Sequence, residues 1–277
     1  MNTWMFTAVV WAGSLAAGFL GALTGLGGGV VIVPLLTLGL GVDMHYAVGA
    51  SLVSVIATSS GAASAYVKEG FTNLRIGMLL EVATSFGAIA GAMLAGHIST
   101  GALAVVFGIV LLSSAWLASR PPQREAPAPP DPLARRLRLD GEYPSLDGVR
   151  HYHVRGLPAG FGLMFLAGGL SGLLGIGSGA AKVLAMDRVM RIPFKVSTTT
   201  SNFMIGVTAA ASAGVYLNRG YIDPELAAPV MLGVLIGSLA GARLLAVSRA
   251  ASLRKVFGLV VAALAFEMIY QGLTGGI

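Results

Sequence analysis

Residues Gly25–Pro34, GLGGGVVIVP, set four glycines within five residues against a run of branched apolar side chains. The pattern returns at Gly175–Leu184 as GIGSGAAKVL, with Lys182 standing where the first copy has Ile32. The spacing that sets Gly25 on Gly175 also aligns Gly18 with Gly168, Ser51 with Ser201, Thr58 with Thr208 and Tyr66 with Tyr216. It continues through Gly70 and Gly220, Gly87 and Gly237, and Phe107-Gly108 and Phe257-Gly258. A colinear set that includes Ser, Tyr and Phe marks an internal duplication.

Composition sets the environment of the two copies. Apolar residues make up 55% of the chain, charged residues 11%, and the mean hydropathy is +0.80. Soluble domains carry about 25% charged residues, so the chain reads as membrane-embedded. Windows of about 20 apolar residues, enough to span a bilayer, occur several times. The first of them lacks a basic leader segment and reads as a membrane helix rather than a signal peptide. The chain has no cysteine, which excludes disulfides and cysteine-ligated zinc. The net charge of +6 lies largely in one linker and at helix ends, so it points to membrane topology and not to nucleic acid.

Five apolar segments are expected before residue 120: arms at Trp4–Leu23 and Val30–Leu40, then Tyr46–Val67, Leu74–Ile98 and Ala102–Ala118. The organisation is therefore a first membrane repeat over 1–118, a charged, Pro-rich cytoplasmic linker over 119–155, and a second membrane repeat over 156–277. The linker composition predicts a solvent-exposed segment without a packed domain, and its His151 and His153 read as ordinary polar residues. Lys68, Arg75 and Arg120 flank the cytoplasmic loops of the first half, whereas the loops near Asp43 and Ser99 lack Lys and Arg. In the second half the bias reverses, with Arg188, Arg191, Lys195, Arg249, Arg254 and Lys255 in the equivalents of those two loops. Positive-inside reasoning puts both termini outside and the linker inside, so the repeats are expected to be inverted.

The expected fold class is an all-α polytopic membrane protein. It has two inverted repeats of about five segments each and short broken or re-entrant hairpin arms at the glycine turns. An arm from Val30 to Leu40 is about 16 Å long at 1.5 Å per residue, too short for a hydrocarbon core of about 30 Å. Irregular backbone at that depth must be buried or line a cavity. The glycine turns bare N–H groups at the start of the next helix, an arrangement suited to anions. The candidate substrate contacts are Gly27, Gly28, Gly177, Ser178 and Gly179 at the tips, with Lys182 one turn on. Ser51, Thr200, Ser201 and Asn202 add side-chain donors. GIGSGA also satisfies a loose dinucleotide fingerprint, but membrane segments flank it and no acidic residue stands about 20 positions on. Intramembrane charge is costly and often functional, which singles out Glu81 and Asp187 as candidate ion-pair or coupling residues. Arg243 reads as an interfacial anchor.

The run GALTGLGGG, Pro34, the following VGASL and the Tyr66-x-x-x-Gly70 pattern, repeated in weaker form, resemble the sulfite exporter TauE/SafE family, also called the 4-toluene sulfonate uptake permease family. The chain departs from the common pattern at Ala50-Ser51, where many relatives have Thr-Ser, and at Leu184, where the second copy lacks a proline. The resemblance implies a bacterial inner-membrane transporter with duplicated halves, moving sulfite or organosulfonates by alternating access. A small anion and the lipid bilayer are then the partners, with no cofactor, metal or nucleic acid, and with homo-oligomerisation left open. A passive anion channel on the same scaffold is the first alternative. A membrane-embedded enzyme or assembly protein is the second, disfavoured because the chain has only four scattered histidines and no dense cluster of catalytic residue types.

Overall fold

The computed structural model describes residues 3–24, 29–68, 71–118, 131–145, 148–247 and 250–276. Gly27 and Gly28, with the first part of the linker, lie outside the described residues. The first half contains α1 (Thr3–Thr24), α2 (Gly29–Pro34), α3 (Met44–Lys68), α4 (Leu74–Ala95) and α5 (Thr100–Ala118). The second contains α7 (Leu157–Leu174), α8 (Gly179–Leu184), α9 (Phe194–Asn218), α10 (Pro224–Val247) and α11 (Ala250–Thr274). Both short helices, α2 and α8, run on into a wider π-helical turn, at Leu35–Gly39 and Ala185–Val189. The two arms thus share length and irregularity, as the duplicated sequence predicts.

Between the halves, the segment expected to be a bare linker is partly ordered. It forms α6 (Pro132–Arg136) and an antiparallel hairpin, β1 (Gly141–Ser145) with β2 (Gly148–Tyr152), in which Gly141 faces Tyr152. Asp131 caps α6 by accepting from the Leu133 N–H, with Pro132 at the first turn. Ala134, Leu139, Tyr152 and Val154 are buried against Ile76 and Leu80 of α4 and Met164 of α7. Four scattered apolar residues among prolines and charges carry no clear period, which is why the sequence reads as linker. The chain is therefore helical apart from this one hairpin among the described residues.

Small residues decide how the long helices meet. Gly168 and Gly172 of α7 lie against the backbone of Thr84 and Ala88 on α4, while Gly87 and Gly91 lie against Phe165 and Gly169. Residue numbers rise together, so α4 and α7 are parallel. The equivalent pair, α1 and α10, repeats the arrangement: Gly233 meets Trp11 and Gly237 meets Leu15. By contrast, α5 and α11 are antiparallel, since Gly101 meets Gly272 while Gly108 meets Ala265. The equivalent helices α3 and α9 also cross head to tail. Gly49 abuts the Tyr221 carbonyl at one end, and Thr199 Oγ1 donates to the Phe71 carbonyl at 3.0 Å at the other. Backbone contact through small residues is how helices associate where lipid removes the hydrophobic drive between them.

The outer faces are apolar too. On α4, Met78, Val82, Phe86 and Met93 are exposed while Gly87, Ala88 and Gly91 face inward. Phe165 and Leu166 do the same on α7. A helix apolar all round belongs in a large core or a bilayer, and α4 and α7 are each long enough to span one.

The loops gather at two ends. At one, His45 stacks on Tyr221 and its Nε2 lies 3.1 Å from the Ala95 carbonyl, while Arg219 donates to the Met93 carbonyl at 2.9 Å. At the other, Asn73 donates to Tyr152 at 2.8 Å and to the Leu139 carbonyl at 3.1 Å. There Arg75 donates to the Arg138 carbonyl, Arg155 N–H to Met190, and Lys195 sits over the Phe71 ring. Burial pushes the Tyr152 phenol up to about 12, so it stays protonated in this contact.

Candidate functional site

The second glycine turn is held between α3 and α9. Gly175 (φ +70°) and Gly177 (φ +71°) take the left-handed conformation that glycine permits, and Ser178 follows at φ +44°. A Cβ at Gly175 would strike Val48, and one at Gly177 would strike Ile205. Ser51 Oγ donates to the Gly175 carbonyl at 2.8 Å, and its repeat equivalent Ser201 donates to the Gly179 carbonyl at 3.2 Å. The Ser178 hydroxyl is buried and has no hydrogen-bond partner.

One turn along α8 stands Lys182, fully buried. Its Nζ donates to Thr208 Oγ1 of α9 at 2.5 Å. Thr208 in turn donates to Glu81 Oε1 of α4 at 2.7 Å, and Ser85 donates to the same oxygen at 3.1 Å. Thr84 Oγ1 lies 3.4 Å from Thr208. Glu81 Oε2 is buried and unpartnered. A cation of the second half and a carboxylate of the first are thus joined through one hydroxyl. Such groups in a membrane interior are costly unless paired, and they concentrate where substrates or ions pass.

The remaining sequence-derived candidates fall elsewhere. Asp187, in the wide turn after α8, forms an ion pair with Arg188 at 3.5 Å. Thr200 accepts from the Asn73 N–H at 3.1 Å, so its hydroxyl holds the 71–73 loop. Asn202 is partly buried on α9. His153 pairs with Asp140 at 3.0 Å on the hairpin. Sequence reading did not single out Thr208, Thr84 or Ser85. A usable signal was there, since Thr84 and Ser85 follow Glu81 by three and four residues, on one helical face, and Thr208 is one of the duplicated positions.

The repeat equivalents of Lys182, Thr208 and Glu81 are Ile32, Thr58 and Met231. Ile32 is fully buried, and Thr58 donates to the Ser54 carbonyl of its own helix at 3.0 Å. The charged chain therefore exists on one side of the pseudo-symmetric core alone.

Comparison with known proteins agrees with this architecture. The model of the family described as Sulfite exporter TauE/SafE matches residues 10–268. The chain is 27% identical to the probable membrane transporter protein YunE of Bacillus subtilis, over 94% of this chain and 96% of that one. It is 26% identical to YdhB of the same organism, likewise a probable membrane transporter protein, over 82% and 83% of the two chains. A probable membrane transporter protein of Methanocaldococcus jannaschii, MJ0441, is 25% identical over 82% of each. No solved structure matches. A family match across nearly the whole length, on a bundle with lipid-type helix contacts and a buried ionic chain, identifies a membrane transporter: the chain belongs to the sulfite exporter TauE/SafE family.

Proposed function

We propose that the protein is a secondary transporter of a small sulfur-containing anion, sulfite or an organosulfonate, bound near the membrane midplane between two inverted repeats. The observation that carries this reading is Lys182, a fully buried cation whose ammonium meets a hydroxyl at 2.5 Å. An ammonium so placed has donors to offer an oxyanion, and the free Ser178 hydroxyl lies one turn away. The backbone at Gly177 and Gly179 completes the donor set, with Gly27 and Gly28 as its counterpart on the first arm. Ser51 and Ser201 position the turn through its carbonyls, while Thr200 and Asn202, the neighbours of Ser201 on α9, stand outside the turn, Thr200 on the 71–73 loop. The description of the family supports sulfur oxyanions as the substrate class.

Inversion is supported by the antiparallel contact of equivalent helices, α5 with α11 and α3 with α9. A pseudo-two-fold axis along the helices would leave such pairs parallel. The end that gathers Arg75, Arg138, Arg155, Arg191 and Lys195 is taken as cytoplasmic by the positive-inside rule, which puts the hairpin in the cytoplasm and both termini outside. Two gates related by inversion are what alternating access at a fixed site requires.

Flux of labelled sulfite in proteoliposomes tests the reading. Lys182→Ala is expected to lower flux roughly tenfold or more, the loss of one charge-assisted hydrogen bond being worth about 1.5–3 kcal/mol. Unchanged flux removes Lys182 from the site. Trans-stimulated counterflow is expected of the carrier, and flux without it marks a pore.

A further inference from the structure

We propose that Glu81 is a proton-binding site linked to anion binding at Lys182, which makes the carrier an electroneutral anion–proton symporter. The inference deepens the transport reading above and rests on it for its direction. It starts from an asymmetry within the carboxylate. Glu81 Oε1 accepts from Thr208 and Ser85, whereas the buried Oε2 has no partner. A permanently ionised carboxylate in an apolar interior would fill both oxygens. One bare oxygen is where a proton binds.

The hydroxyl of Thr208 keeps the two charges from direct contact. Lys182 and Glu81 balance each other in the empty site through this bridge. An oxyanion arriving at the ammonium takes over its compensation, and Glu81 is left as an unbalanced buried charge. Such a group neutralises itself by taking up a proton. The step is balanced: a proton from the aqueous side to which the site is open adds to Oε2, and no covalent bond to the anion forms. Empty, the site holds Lys182 positive and Glu81 negative. Loaded, it holds Lys182 positive, the monoanion negative and Glu81 neutral. Both forms cross the alternating-access step with zero net charge.

Among the described residues, no other titratable group competes for this role from the elements around Glu81; on α4 itself, Arg75 donates to the Arg138 carbonyl. Helix α7 carries none. Those of α9, Lys195 and Tyr216, lie toward its ends, with Lys195 over Phe71 and Tyr216 donating to the Leu173 carbonyl. On the arm after Lys182, Asp187 pairs with Arg188. At the hairpin, Asp140 pairs with His153. The opposite pseudo-symmetric position, with Ile32 and Met231, has no charge to titrate. Among the described residues, this core therefore offers one proton site, at Glu81.

Two measurements test the proposal. The first needs no substrate. Infrared difference spectra between Lys182→Ala and Lys182→Ala/Glu81→Gln, both purified in detergent, are expected to show the carbonyl stretch of one protonated carboxylic acid. Absence of that band means that Glu81 stays ionised without its counter-charge and overturns the linkage. The second uses proteoliposomes and methanesulfonate, which has no titratable proton of its own, alongside sulfite. For wild type, a one-unit pH gradient is expected to drive roughly tenfold accumulation, as one proton per anion dictates, and a potassium–valinomycin potential is expected to change flux little. Glu81→Gln keeps the Thr208 bond and is expected to retain counterflow, lose pH-driven accumulation and become sensitive to the potential, because its empty form carries one positive charge. Glu81→Gln that still accumulates anion under a pH gradient overturns the proposal, as does loss of counterflow with an intact melting transition. Wild type that moves neither anion overturns the transport reading, and the infrared measurement then still decides whether Glu81 binds a proton in answer to Lys182.

Discussion

Thr208 sits between the two buried charges, donating to Glu81 and accepting from Lys182. Valine is nearly isosteric with threonine and lacks the hydroxyl, so Thr208→Val would leave the Lys182 ammonium without this acceptor and take one of its two donors from Glu81 Oε1. An unsatisfied buried partner costs about 1–3 kcal/mol, more if charged. The detergent-solubilised variant is expected to melt several degrees lower than wild type, while Thr208→Ser keeps the bridge and melts close to it. Equal melting of the valine and serine variants would show that the hydroxyl contributes nothing. Glu81 and Lys182 were legible in the sequence because ionisable residues stand out in an apolar run. Their bridging through a third helix was not, since Thr208 is 26 and 127 positions away from its two partners.

Among the elements, α4 and α7 meet backbone against backbone. Gly172 faces the Ala88 carbonyl closely enough that a methyl group has no room, whereas Gly162 on the same helix has open space around it. Gly172→Ala is therefore expected to cost about 1–3 kcal/mol through overpacking. Gly162→Ala is expected to be neutral or to gain up to about 1 kcal/mol of helix propensity. Thermal melts of the two variants compare them directly, and a fall for Gly162→Ala as large as that for Gly172→Ala would contradict the packing argument. The glycine spacing on both helices was visible in the sequence as a small-residue stripe. Which helix it would meet was not, because any of the small-residue stripes could in principle pair with another.

At the scale of the whole molecule, the reciprocal pairing α1 with α10 and α4 with α7 interlocks the two halves. Each half leans its first helix on the fourth of the other, so neither completes its packing alone. The absence of cysteine makes the proposed topology straightforward to test. Asp43→Cys and Arg191→Cys occupy nearly equivalent, exposed positions in the two halves. With inverted repeats, an impermeant maleimide applied to right-side-out vesicles is expected to label the first and to reach the second only after permeabilisation. Labelling of both from one side would mean that the halves share an orientation. The hairpin belongs to this scale as well. Its few apolar residues have meaning only against Ile76, Leu80 and Met164, brought together from both halves.

Sequence by itself determined the membrane class, the duplication, the two short arms and the identity of the buried charges. Composition, hydropathy, repeat spacing and the cost of charge in lipid are local or periodic properties that a one-dimensional chain displays. Tertiary structure alone decided that Lys182 reaches Glu81 through Thr208, that the Ser178 hydroxyl is left free, and that part of the linker folds back as a hairpin. Each of those depends on distances between residues far apart in the chain, and these are set by close helix packing rather than by any sequence period.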